Sequence, residues 1–371
     1  MTAKTLVVDA VVHPYDLGPD NHPPGDRTQL RALHPFHVLS SGGPGGHPEW
    51  TLTEDEFFTD FDHDVLTAAL FAESAVDVAI IHALPNLGFT KGGVTDVGRM
   101  AALRDRYPGR YLLYATVDTP VTDAAIKQLE DQVTTYGVDG LKLYPAFFFD
   151  GEAMAWRLDD EDFATPLLEA AQDLGIRNVA VHKAVPVPPA PDKAFRVEDL
   201  DAPLERFPAI NFAVVHAGVV FLAETCALLA RHPNLYANLE SSFAYILSKP
   251  RRFADMLGSL LLAAGPDRLL FGSGVNLVHP RPLLDAFAAF EMPDDLPPLT
   301  DEIRARILGG NALRIHGLDA DEVRARIAGD EFERRKADGL APYWSRLRRA
   351  PNPSPTEGLG TARSVRMRCE K

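Results

Sequence analysis

With 371 residues, 46% apolar and 24% charged, the chain can bury one large α/β core or two smaller ones. A net charge of −15 with no Lys/Arg-rich run excludes the footprint of a nucleic-acid binder, and two cysteines exclude a disulfide framework or a thiolate-rich metal centre. The opening MTAKTLVVDAVVHP has no signal-peptide core, and no apolar run reaches membrane-spanning length, which predicts a cytoplasmic protein with no membrane partner.

Eight short apolar runs follow in order. They are TLVVDAVVH (5–13), VDVAIIH (76–82), RYLLYATV (110–117), GVDGLKLYP (137–145), IRNVAVH (176–182), INFAVVHAG (210–218), NLYANLESS (234–242) and DRLLFGSG (267–274). Val, Ile and Leu on both faces predict strands buried on both sides. Between most of them lie amphipathic stretches such as DVGRMAALRDRY, DFATPLLEAAQDLG and FLAETCALLARH. Eight such units in roughly 300 residues predict a (β/α)₈ barrel with its site at the C-terminal strand ends. An open doubly wound sheet is the alternative, but no GxGxxG follows the first strand.

Two segments break the rhythm. Residues 14–62 form a long insert rich in Gly, Pro and His that also carries Trp50, Phe57 and Phe58. A connection of that length predicts a lid, and its aromatics predict a lid that packs. Residues 351–371 read as a disordered tail after a single domain spanning 1–350.

Polar residues collect at the strand ends: His13, His82, His182 and His216, with Asn238 and Glu240 on the seventh strand and Lys142 and Tyr144 on the fourth. The two-residue period groups Asp9, Val11 and His13 on one side of the first strand. Three imidazoles and a carboxylate on one rim predict a transition-metal site, and imidazole suits zinc, iron and nickel. Glu240 on a buried strand needs a partner, so it is a candidate ligand or catalytic group. Lys142 is a candidate for a catalytic or bridging role. His22, His34, His37, His47 and His63, in or beside the insert, read as surface residues. His82 and His279 are weak candidates, and His232 and His316 read as helix-end residues. Phe147, Phe148 and Phe149 in the PAFFFDG loop are candidates to line an apolar pocket.

The segments VVDAVVHP, GLKLYP, VAVHKA, FAVVHAG, LLFGSG and ILGGNALRIHGL, in this order, resemble the amidohydrolase-related family, which includes aminocarboxymuconate-semialdehyde decarboxylase-like enzymes. The resemblance covers about residues 5–318 and implies a metal-dependent TIM barrel. It implies ligand or substrate-site roles for His13, His182 and His216. Two departures stand out. The family opens with Asp-x-His-x-His, where this chain has Val11, and it carries an Asp on strand eight, where this chain has Gly274. That Asp binds metal and moves the proton of the attacking water, and a general base is worth about 10²–10⁴-fold.

Three readings follow from the altered site. The first is resemblance to a divergent branch of non-haem diiron monooxygenases, of the kind known in platensimycin and platencin biosynthesis. It implies one or two irons on His13, His182, His216 and Glu240, with Asp9 or Asn276 helping. It also implies an external reductant and a carboxylic or CoA-linked small-molecule substrate. The second is a zinc-type hydrolase or decarboxylase in which Glu240 or a residue of the lid replaces the lost base. The third is a ligand-binding relative without activity. The sequence leaves oligomerisation open.

Overall fold

The computed structural model describes residues 5–22, 28–43, 47–85, 90–91, 93–149, 152–188 and 190–348. The predicted tail at 351–371 lies outside them. Among the described residues there are ten strands: β1 (Val8–Val12), β2 (Val78–His82), β3 (Tyr111–Ala115), β4 (Gly140–Leu143), β5 (Ala146–Phe149), β6 (Glu152–Ala155), β7 (Asn178–His182), β8 (Asn211–Val215), β9 (Leu235–Asn238) and β10 (Leu269–Leu270). Eight of them form one sheet in the order β1-β2-β3-β4-β7-β8-β9-β10, with each neighbouring pair parallel. These eight are the eight runs read from the sequence.

The sheet curls until its ends meet. Ala10 N donates to Phe271 O at 2.9 Å, Gly274 N to Val11 O at 3.0 Å and His13 N to Val275 O at 3.0 Å. The chain is a (β/α)₈ TIM barrel. Side chains alternate across the pleat. Val8, Ala10, Ile80, Tyr114, Ala180 and Leu270 fill the barrel, while Leu141, Val179, Val181 and Val214 pack outward. Helices Val97–Arg106, Ala164–Asp173 and Leu222–Arg231 stand where the amphipathic stretches predicted them. Asp96 caps the first by accepting from Arg99 N at 2.7 Å.

The first strand departs from simple alternation. β1 pairs Val8 with Val78 and Asp9 with Ala79, then slips before pairing Val12 with Ile81. This bulge places Val11 beside Val8 and Ala10 in the inner cluster. Asp9 is turned the other way, onto Ser273, so the expected grouping of Asp9 with Val11 and His13 does not hold.

The insert at 14–62 is folded rather than a bare loop. It carries helices Thr28–Ser40 and Glu54–Phe57, the second closed by a capping box between Thr53 and Glu56. The first hid behind Pro35, which lies inside it. Leu17, Leu52, Phe57 and Phe61 are fully buried in the main core. Two of the histidines expected at the surface are also buried. His37 Nδ1 donates to Leu277 O at 2.7 Å while its Nε2 accepts from Leu52 N at 2.8 Å. His22 bonds Leu17 O at 2.8 Å. The C-terminal segment straps this region down: Trp344 Nε1 donates to Trp50 O at 2.9 Å, and Arg348 pairs with Glu56 at 2.8 Å.

The PAFFFDG stretch also differs from its reading as a loop. β5 and β6 form an antiparallel hairpin. Phe147 is 2% exposed and packs against Trp156 and Phe163, so it is core. The side chains of Phe148 and Phe149 lie outside the described residues.

Candidate active site

The strand order sets the site. β1 leads into His13, β7 ends in His182, and β8 and β9 are followed by His216 and Glu240. Lys142 lies within β4. All five are buried: Lys142 and Glu240 are 1% exposed, His13 5%, His182 6% and His216 9%. His216 has a left-handed backbone, φ 66°. Non-glycine residues adopt this conformation rarely, and it is enriched at functional sites.

Hydrogen bonds fix where the protons lie. A carbonyl can only accept. His182 Nε2 therefore donates to Val185 O, at 2.8 Å. Burial first, then the charges of His216 and Lys142, hold His182 well below its ordinary pKa, so the ring is neutral and Nδ1 is an acceptor. His216 Nε2, 3.0 Å away, must then be the donor to it. The other nitrogen of His216, Nδ1, meets Glu240 Oε2. The two atoms are close enough to share a proton but are not aligned as a hydrogen bond. The result is a relay from Glu240 through His216 to His182, ending on a backbone carbonyl.

Glu240 is held from several sides. Ser241 Oγ donates to Oε1 at 2.8 Å, and the backbone N of Glu240 donates to Asn238 Oδ1 at 3.1 Å. Burial raises its carboxyl, but the charge and hydrogen bond of His216, the Ser241 bond and His13 together bring it below the usual value. Its side chain crosses two glycines of the closing strand segment. A Cβ on Gly272 would lie 3.1 Å from Glu240 Cβ, and one on Gly274 would lie 2.9 Å from its carboxyl carbon. Glu240 therefore occupies the space a strand-eight side chain would need.

His13 and Lys142 complete the cluster. His13 Nδ1 donates to His82 O at 3.0 Å, and its ring stacks on Tyr15 with centroids 5.0 Å apart. Burial, reinforced by Lys142, pushes its pKa down to about 4, so it is neutral with the lone pair on Nε2. Burial brings Lys142 down to about 7 against the opposing pull of Glu240. Tyr144 stacks on His182 at 4.1 Å.

Other expected residues sit differently. Both oxygens of Asp9 are taken by Ser273, whose N donates at 2.9 Å and whose Oγ donates at 2.5 Å. Burial, outweighing those bonds, raises the carboxyl to about 7. Asn276 is fully buried, and neither polar atom of its amide has a hydrogen-bond partner among the described residues. His82 stacks on Tyr114 inside the barrel. His279 bonds Glu73 in the strap region, and His316 bonds Tyr114 at 2.8 Å. Tyr15, Ser241 and Ser273 were not picked out from the sequence. Their adjacency to His13, Glu240 and Gly274 was the available signal.

A metal needs converging lone pairs, and this donor set does not offer them. His13 Nε2 presents one. His182 spends one nitrogen as donor and the other as acceptor, while His216 donates from Nε2 and has Nδ1 set against Glu240 Oε2. Val11 and Gly274 carry no donor. Among the described residues no group of three or more His, Cys, Asp or Glu side chains is arranged to hold a metal ion. The residues converge as a proton relay rather than as a coordination shell.

Comparison with known proteins agrees with the barrel. No curated protein matches the chain. An uncharacterised TIM-barrel protein from Bordetella bronchiseptica is similar at 19% identity and TM-score 0.63, covering 84% of this chain and 98% of its own. A 2,6-dihydroxybenzoate decarboxylase from Rhizobium is similar at 17% identity and TM-score 0.52, covering 85% and 99%. An amidohydrolase from Burkholderia multivorans with bound zinc gives 18%, 0.52, 85% and 100%. These likenesses are of fold. The amidohydrolase family model matches residues 12–318, from the end of β1 to the turn after the last barrel helix. That span takes in His13, Lys142, His182, His216 and Glu240, and the chain belongs to the amidohydrolase family.

Proposed function

We propose that this chain is a decarboxylase-type lyase acting on a small carboxylic acid. The observation that carries the reading is the buried Glu240–His216–His182 chain clustered with Lys142 and a neutral His13. Decarboxylation needs an electron sink for the pair of the breaking bond, for which a nitrogen can serve, and a proton for the carbon left behind. Lys142 is the nitrogen at the carbonyl end of the substrate. The proton between His216 Nδ1 and Glu240 Oε2 goes to that carbon, and the His182 bond holds the His216 ring in place. A water-poor pocket favours loss of a buried carboxylate as neutral carbon dioxide.

The iron oxygenase reading needs several ligands converging on one point, and no three His, Cys, Asp or Glu side chains among the described residues do so. The external reductant and CoA-linked substrate fall with that reading. Zinc meets the same obstacle, so no step is assigned to a metal. Hydrolysis is the second reading, favoured by one observation: an imidazole held against a carboxylate also suits a base for water. The test is carbon dioxide release from a panel of aromatic and β-keto acids, with the product's new C–H bond followed in D₂O. Release that is lost in Glu240→Gln supports the proposal. Ester or lactone cleavage without carbon dioxide moves the chain to the second reading.

A further inference from the structure

Among the described residues two lysines are fully buried, and they differ in one respect. Lys183 Nζ donates to Asp199 Oδ2 and to Ala194 O, each at 2.8 Å. Lys142, 1% exposed, has no hydrogen-bond acceptor for Nζ and no carboxylate within 4 Å among the described residues. Partly buried Lys336 also has a carboxylate, Asp77, at 3.3 Å. Burial without a counterion disfavours the charged form of an amine. A neutral amine in a dry pocket is a nucleophile toward carbonyl carbon. Lys183 is a structural cation; Lys142 has no structural partner to serve.

We propose that Lys142 forms an imine with the substrate and that the substrate class is β-keto acids. This deepens the decarboxylase reading and rests on it. The lone pair of Nζ attacks the ketone carbon, and the C–N bond forms as the oxygen takes protons and leaves as water. The iminium then accepts the electron pair of the breaking C–C bond, which releases carbon dioxide and leaves an enamine. The α-carbon of the enamine takes the proton held between His216 and Glu240. Water then attacks the iminium, releasing the ketone and restoring the amine. No oxidant, reductant or metal is consumed. The low exposure of the pocket limits premature hydrolysis of the imine.

The test is borohydride trapping on the wild-type protein. It uses acetoacetate as probe, with pyruvate and acetaldehyde as smaller carbonyls, and peptide mapping by mass spectrometry. The expected result is a reduced adduct on the Lys142 peptide, with far less on exposed Lys127, and its loss in Lys142→Arg. The mapping is done on wild type, so it stands even if the variant folds poorly. Carbon dioxide release from acetoacetate is measured in parallel. An adduct without carbon dioxide upholds the imine and sinks the decarboxylase reading. Carbon dioxide without any trapped adduct overturns the imine and leaves that reading standing. No adduct from any of the three carbonyls and no carbon dioxide overturns the proposal.

Discussion

The carboxylate of Glu240 lies where a side chain on Gly274 would have to stand. Gly274 also has φ 66°, a conformation that suits glycine. The residue that looked like a lost acid on the closing strand is thus the vacancy that admits an acid from β9. The two positions work as a pair.

Gly274→Ala tests that pairing. The new methyl group would drive the Glu240 carboxylate away from His216. Stability should fall by about 1–3 kcal/mol, the usual cost of overpacking. Activity should drop further than stability accounts for. Glu240→Asp in the same background shortens the side chain and should cost less than the two single effects added. Strict additivity in the double-mutant cycle would count against the pairing.

The relay predicts non-additive kinetics. Glu240→Gln and His216→Gln should each lower kcat by about 10²–10⁴-fold. The double variant should fall little below the worse single one, because both remove the same proton. Circular dichroism and melting should stay near wild type for Glu240→Gln. Independent, multiplying effects would mean that the two groups do not act as one.

The buried pair Lys183–Asp199 holds the segment after β7. Asp199 Oδ2 also accepts from Leu158 N at 2.9 Å, and Phe195 from this segment packs edge-on against His182 at 5.5 Å. Lys183→Met leaves a buried carboxylate without its cation and should cost about 3–5 kcal/mol. Lys183→Met with Asp199→Leu should recover much of that in chemical denaturation. Equal losses in the single and double variants would contradict this account.

His37 gives a pH dependence outside the site. Burial brings its pKa down to about 4 from an ordinary 6.5. Between those values the unfolded chain binds a proton that the folded chain refuses. Its contribution is therefore full above pH 6.5 and declines as pH falls toward 4, by up to about 3 kcal/mol. Urea denaturation at pH 7 and pH 5 should show a smaller pH effect in His37→Gln than in wild type. Parallel slopes would rule His37 out as the source.

The barrel was legible in the order of the residues. Val, Ile and Leu on both faces of eight short runs leave few ways to bury them, and a parallel sheet closed on itself is one. The same period placed His13, His182, His216 and Glu240 at one rim. Only the tertiary structure decided what they do there. A bulge in β1 turned Val11 inward while Asp9 stayed on the other side against Ser273, a slip that residue order does not record. Parallel pairing of three successive strands brought His216 against both His182 and Glu240, so that these side chains meet one another rather than converge on a single point. Pro35 concealed a helix in the insert, and burial of His37 followed from packing against Leu277, 240 residues away. Strand patterns are local and survive in the sequence, whereas proton positions and open lone pairs depend on which strands become neighbours.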